Sequence, residues 1–283
     1  MKILSKQSIR KNLEIFRLNQ LSKFDNSKNV FFRKYEYVPA LFRELKDRSD
    51  PCILISGNSD YPVTKEFLDL TPPCIKKWFA QVVVVNDTRL IPLPLGVENV
   101  KERLVKGQGP VALRYLNCSP YGLDKKSTLS NPITAIPTKK IYANFATHTN
   151  NERIGVAKIC KEVTCIECDS HAQPQDNAPL SFSQYAKNVL DHDMVVCPEG
   201  NAPADTHRFW EVLYMNRVPI VKRTQGVAPF LDLPVVVLED WEQLRDESFL
   251  YSEFHRVKDN PEELLDSSYW KDRVQREINY NNI

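Results

Sequence analysis

The stretch Met194–Arg223, MVVCPEGNAPADTHRFWEVLYMNRVPIVKR, constrains this chain more than any other. Met194–Cys197 is a short apolar run closed by a turn, the pattern of a buried parallel strand. Pro198-Glu199-Gly200-Asn201 breaks it. Pro203, Asp205 and Thr206 are helix-start residue types, and the helix they open is expected to run to about Asn216. Val218–Val221 is the next strand. This strand–loop–helix–strand unit puts Glu199, Asp205, His207, Arg208 and Glu211 in a loop and first helical turn. In open α/β sheets, ligands bind where strand carboxyl ends meet helix N-termini.

The rest of the chain repeats the alternation. Ser8–Phe24 spaces Ile9, Leu13, Phe16 and Phe24 along one helical face, and Val38–Asp47 is a second expected helix. Pro51–Ser56 is an apolar run that ends in the strong turn signal Gly57–Pro62. Pro72-Pro73 are expected to start a short helix through Trp78 and Phe79. Val82–Val85 is expected to be a buried strand, and Leu90–Leu95 an extended piece stopped at Gly96. Residues 100–136 lose periodicity and read as an irregular connection. Then Lys140–Phe145 (strand), Glu152–Glu162 (helix), Thr164–Cys168 (strand) and Ser181–Leu190 (helix, with the capping-box spacing Ser181-x-x-Gln184) lead into the opening unit. His171–Pro179 is expected to be a polar loop. Gly226–Leu231 is a short helix or turn, Pro234–Leu238 a strand, and the residues after Pro261 a closing helix. The expected fold class is therefore α/β, as two Rossmann-like domains facing a cleft. Residues 1–136 form the first with its linker, 137–260 the second, and 261–283 a helix that crosses back to the first.

Composition enters by exclusion. The 38 basic and 36 acidic residues nearly cancel, which gives no reason to expect nucleic acid or a charged membrane surface as a partner. No window approaches the apolar length of a membrane span, and the N-terminal stretch has no uninterrupted apolar run of the secretory kind. Seven cysteines, odd in number and without framework spacing, fit a reducing compartment, so a cytoplasmic location is expected. The pair Cys165-x-x-Cys168 lacks the second ligand pair of a zinc site. Eight glycines in all include neither G-x-G-x-x-G nor G-x-x-x-x-G-K-[ST], which counts against a dehydrogenase and a P-loop NTPase.

Four constellations could carry chemistry. Arg208 and Glu211 sit three apart and share one helical face. The guanidinium adds a donor fork to a helix N-terminus suited to phosphate, and the carboxylate could accept two ribose hydroxyls. The plainer alternative is a surface i,i+3 ion pair. Thr147–Arg153 offers hydroxyls, amides and a guanidinium at a helix start, or else an ordinary capping loop. Asp60 would project from the tight turn after the first-domain strand, where a carboxylate can serve as general base. Equally, it could cap its own turn. Asp191-His192-Asp193 imitates a metal-binding D-x-D, but it precedes a strand and reads as a solvated turn.

On these residues the chain resembles the exostosin-like glycosyltransferases, enzymes of the GT-B fold that use nucleotide sugars, here in their inverting branch. The features that match are Cys197-Pro198-Glu199-Gly200, Arg208 with Glu211, Val218-Pro219-Ile220-Val221, and Phe230–Trp241 with its valine run and acidic-Trp corner. Thr149-Asn150 with Glu152-Arg153, and Ser59-Asp60-Tyr61-Pro62, look like motifs of shorter soluble relatives, among them the chlorovirus-type xylosyltransferases. The resemblance spans roughly residues 50–100 and 138–242. It implies a nucleotide diphosphate donor, UDP-xylose first, held by Arg208, Glu211, Arg153, Thr149, Asn150, Glu199 and His207. It implies a glycan acceptor held near Asn58, Ser59 and Tyr61, with Asp60 as base and no cofactor or metal required. The alternatives are a nucleotide- or glycan-binding module without turnover, and a metal-dependent transferase using Asp191 and Asp193.

Overall fold

The computed structural model describes residues 13–98, 125, 128–129, 135–170 and 180–283. Two sheets, both entirely parallel, organise a mixed α/β molecule. The first has the order β1-β2-β3-β4: β1 (Val30–Lys34), β2 (Cys52–Gly57), β3 (Ile75–Ala80) and β4 (Leu90–Pro92). The short helices α1 (Val38–Glu44) and α2 (Lys65–Asp69) connect its strands. All six residues of β2 are buried, as expected of a strand with neighbours on both edges.

The second sheet has the order β6-β5-β7-β8-β9. Its strands are β5 (Lys139–Ala143), β6 (Ile166–Cys168), β7 (His192–Val196), β8 (Val218–Lys222) and β9 (Val236–Leu238). Helix α3 (Glu152–Glu162) crosses from β5 to β6, α4 (Phe182–Leu190) lies between β6 and β7, and α5 (His207–Tyr214) joins β7 to β8. Strand order reverses at β5, so the crevice between the carboxyl ends of β5 and β7 is the topological switch point of this sheet. The chain closes with α6 (Glu247–Val257) and α7 (Ser267–Tyr280).

The second sheet follows the sequence reading closely. Helix α3 begins and ends at the expected residues, and Ser181 and Gln184 form a reciprocal capping box. The first half corrects it in three places. The described part of Ser8–Phe24 is no α-helix: Ile15 bridges Asp266 and only Leu18–Phe24 coils, as a 3-10 helix. The backbone N–H of Phe16 donates to the Tyr214 hydroxyl, so tertiary bonding takes the backbone that the apolar spacing had assigned to a helix. Pro72-Pro73 lie in the turn before strand β3 and start no helix, and Trp78 and Phe79 are wholly buried within that strand. Val82–Val85 is then the loop after that strand, with Val82 at φ +54° and Val83 in one isolated bridge to Val63. A valine run looks the same whether a strand or a buried loop uses it. Strand β1, and helix α6 with the 3-10 turn before it, had no sequence expectation. The expected connection and the polar loop His171–Pro179 lie almost wholly outside the described residues. Among the described residues no helix is long and apolar enough to cross a membrane.

Helix α7 returns to the N-terminal segment. Trp270 packs on Phe16 with ring centroids 6.0 Å apart, and the Ser267 N–H donates to the Glu14 carbonyl at 2.8 Å.

Candidate active site

The two sheets meet across the segment Leu93–Glu98, which leaves β4 and runs against the loop after β7. The Leu95 N–H donates to Asp205 Oδ2 at 2.6 Å, and the indole N–H of Trp210 donates to the same oxygen. The Gly96 carbonyl lies 2.8 Å from His207 Nδ1. A carbonyl only accepts, so Nδ1 carries the proton and Nε2 is the bare nitrogen of neutral His207. Asp205 is fully buried and burial pushes its carboxyl up to about 7.

Behind this junction, Gln81 knits the first half together. Its Oε1 accepts from the Asn58 N–H at 2.7 Å, and its Nε2 donates to the carbonyls of Pro94 and Leu95 at 2.8 and 3.3 Å. A run of hydrogen bonds therefore passes from the turn after β2, through Gln81 and Leu95, to Asp205 and α5. Two non-glycine residues at positive φ, Asn58 and Val82, flank the Gln81 junction. The left-handed region is costly for a β-branched residue, so the surroundings over-determine this backbone.

A cleft of about 790 Å³ opens beside the junction. The first half contributes Asn58, Ser59, Asp60, Tyr61 and Glu36 to its wall, and the second half Asn201, Pro203 and His207. The two walls touch where Asn201 Nδ2 donates to Asp60 Oδ2 at 3.4 Å. The turn needs no cap from Asp60, because Ser59 Oγ accepts from the Tyr61 N–H at 3.2 Å. The Asp60 carboxylate is exposed and faces the opposite wall.

The remaining expected residues gather at the switch point. Arg153, on the first turn of α3, is buried and donates to three main-chain carbonyls: Glu199 at 2.6 Å, Ala146 at 3.0 Å and Pro198 at 2.9 Å. It clamps the loop after β5 to the loop after β7, and three of its five N–H groups are thereby committed. Burial, with the Arg208 charge nearby, draws Arg153 down to about 10. Asn150 adds a second tie, donating to the Gly200 carbonyl at 3.0 Å. Thr149 Oγ1 donates within its own loop, to the Ala146 carbonyl. Glu199 is half-buried and burial raises its carboxyl. A further loop closes on this one, since a Cβ at Gly226 would lie 2.1 Å from the Pro203 carbonyl oxygen.

Arg208 and Glu211 share a face of α5 but do not pair with each other. Glu211 takes Lys125 at 2.8 Å, and Lys125 also reaches Glu98 at 2.5 Å. Arg208 lies over the ring of Tyr185 at 5.9 Å, and its Nε has no hydrogen-bond partner among the described residues. The Tyr185 hydroxyl is likewise unpartnered and 93% of the residue is buried; burial, then the Glu211 charge, raises it far above the usual phenol range. Buried polar groups of this kind normally find partners, so an unpaired guanidinium nitrogen beside an unpaired hydroxyl marks a place where a polar ligand would be held. Lys125, Tyr185, Gln81 and Asn201 escaped the sequence reading. Tyr185 follows a legible helix cap by one turn, a placement that carries some signal. Gln81 and Lys125 act through partners too distant in the chain to be read.

The Asp191-His192-Asp193 reading as a solvated turn is corrected. His192 is buried at the start of β7, and the Tyr251 hydroxyl donates to Asp193 at 3.3 Å. Burial raises the Asp193 carboxyl. All three residues stand at the amino end of the sheet, opposite the edge that carries the cleft. Among the described residues no group of three or more His, Cys, Asp or Glu is placed to hold a metal ion.

No protein-family model matches this chain, and no curated protein matches it. Solved structures similar in outline include an α1,3-fucosyltransferase, at 10% identity and TM-score 0.41, covering 92% of this chain and 87% of that one. A glycosyltransferase from Rickettsia africae ESF-5 aligns at 10% identity and TM-score 0.38, over 86% of this chain and 74% of that one. The GtfA/B complex bound to UDP and GlcNAc aligns at 9% identity and TM-score 0.33, over 91% and 59%. Likeness at this level fixes neither family nor activity.

Proposed function

We propose that this protein is an inverting glycosyltransferase of the GT-B type, taking a sugar from a nucleotide diphosphate to a glycan hydroxyl. The observation that carries the reading is the cleft itself. One wall presents an exposed carboxylate, Asp60. The other carries Asn201, Pro203 and His207, and His207 opens the helix whose next residue is Arg208, over Tyr185, beside the switch point of a parallel sheet. In this reading residues 1–136 serve the acceptor, 137–260 the donor, and 261–283 bind the two together. Arg208 and the amino ends of α3 and α5 take the diphosphate, and Glu211 exchanges Lys125 for the ribose hydroxyls. Arg153, Asn150, Thr149 and Glu199 shape the loops that carry those groups. Asp60 receives the proton of the acceptor hydroxyl while that oxygen attacks the anomeric carbon from the face opposite the diphosphate. The leaving charge spreads onto the guanidinium and backbone amides, so these groups do the work a metal would otherwise do. UDP-xylose is the first donor to try, on the sequence resemblance.

Binding of UDP should raise the unfolding midpoint of the wild-type protein. Arg208→Ala should fold and lose at least tenfold in UDP affinity, as expected for removing a charge-assisted bond. Full retention of nucleotide affinity and transfer by folded Arg208→Ala would sink the reading.

A further inference from the structure

We propose that the acceptor is an uncharged glycoside whose ring lies on Tyr61, and that the cleft discriminates against sugars bearing an anionic substituent. The inference rests on the transferase reading for its biological sense, though its test measures sugar binding without turnover.

Tyr61 lines the cleft one residue after Asp60 and is 64% exposed. It is also held in place. Its ring stacks on Tyr35 with centroids 6.5 Å apart and planes at 26°, and the Tyr35 hydroxyl donates to the Pro62 carbonyl at 2.8 Å. Tyr35 packs in turn on Phe67 at 5.2 Å, and Phe67 on Phe42 and Trp78 at 5.4 and 5.8 Å. The exposed face is thus the outer end of an aromatic ladder rooted in the core of the first half. A flat apolar surface beside hydrogen-bonding groups suits a pyranose, which has one C–H face and a rim of hydroxyls. Asn58, Ser59 and Glu36 supply the polar groups around it.

Charge sets the selection. Three carboxylates line the cleft: Glu36, Asp60 and Glu98. Lys34 pairs with Glu36 at 3.1 Å, and Lys125, which Glu211 also takes, reaches Glu98 at 2.5 Å. Among the described residues, the Asp60 carboxylate has the Asn201 amide as its partner, at 3.4 Å. His207 lines the same wall, with Nδ1 committed to Gly96, and Arg208 follows it on α5. An anionic substituent held about 5 Å from Asp60 loses roughly tenfold in affinity at an effective dielectric between protein surface and water.

The test uses methyl β-glucopyranoside and methyl β-glucuronide, which differ at C6, as probes of the full chain by saturation-transfer NMR titration without any donor. The glucoside is expected to bind and the glucuronide to bind about tenfold more weakly. Asp60→Asn should bring the two within about threefold. Tyr61→Ala should weaken the glucoside at least fivefold, and Tyr61→Phe should restore it. Equal or tighter binding of the glucuronide, unchanged glucoside binding by Tyr61→Ala, or no glucoside binding at all would each overturn the proposal. Tyr61 is exposed, so its replacement leaves the core intact, and circular dichroism checks this. A protein that binds the glucoside as described and ignores UDP keeps this inference and loses the transferase.

Discussion

Asp205 is the residue where the two halves meet, and its chemistry predicts how the molecule answers to pH. It is fully buried, accepts hydrogen bonds from Leu95 and Trp210, and is lifted by burial to about 7. The unfolded chain releases this proton near pH 4, so between about 4 and 7 the folded protein holds a proton that the unfolded chain does not. The free energy of unfolding therefore falls as pH rises through that window and levels above it. Three pH units at about 1.4 kcal/mol each put the site's share on the order of 4 kcal/mol. Asp205→Asn keeps an acceptor oxygen and cannot ionise. Urea midpoints measured from pH 4.5 to 8 should show a shallower fall with pH in this variant, and an unchanged slope would refute the assignment. The sequence showed Asp205 as a helix-start residue in the charged loop before α5, but nothing of its partners. Its partner Leu95 lies 110 positions away, and no local pattern encodes that distance.

Among the elements, the second sheet was readable and the first only partly so, for reasons visible in individual residues. Strands β7 and β8 with α5 carry their own punctuation: the Pro-Glu-Gly break, the Thr206 cap and a helix with one apolar face. The first half signals less clearly because its deciding contacts are tertiary. Val82–Val85 has strand propensity, yet the strand is the preceding Ile75–Ala80, which pairs with β2 and β4 and buries Trp78 and Phe79 in two different apolar clusters. What turns the chain after Ala80 is Gln81, tied to Asn58, Pro94 and Leu95. The same residue makes Gly57 obligatory. A Cβ there would lie 2.3 Å from Gln81 Oε1 and 2.7 Å from Cδ. Gly57→Ala should accordingly cost about 1–3 kcal/mol, the usual penalty of overpacking, and weaken acceptor binding by displacing the Asp60 turn. Adding Gln81→Ser should return part of the stability while leaving acceptor binding impaired, because the room is restored but the bonds to Asn58 and Pro94 are not. Denaturation midpoints for the two single variants and the double variant measure this coupling; strict additivity would mean that the two residues do not meet as described.

For the whole molecule, the question is what makes two sheets one folding unit, and a single hydroxyl carries much of the answer. Tyr214, at the end of α5, accepts from the Phe16 N–H at 2.8 Å and donates to the Leu265 carbonyl at 2.7 Å. Three distant parts of the chain thus meet at one buried oxygen: the segment that leads into the first sheet, the helix beneath the candidate donor site, and the approach to α7. Around it, Phe16, Trp270 and Leu265 pack in the same apolar cluster as Ile53, Phe79 and Ile91 of the first half and Trp210 and Leu213 of α5. That cluster takes residues from both sheets, so the halves should unfold together although each has its own parallel sheet. Tyr214→Phe removes the oxygen and leaves an amide N–H and a carbonyl buried without their partner. Each orphaned group costs about 1–3 kcal/mol, so a loss of roughly 2–6 kcal/mol is expected. Because the loss falls at the junction and not inside either sheet, it should also loosen their coupling. Calorimetry is expected to show one transition for the wild-type protein and a broadened or split transition at lower temperature for Tyr214→Phe. A variant that melts as sharply as the wild type at the same midpoint would mean that the apolar cluster alone holds the halves together.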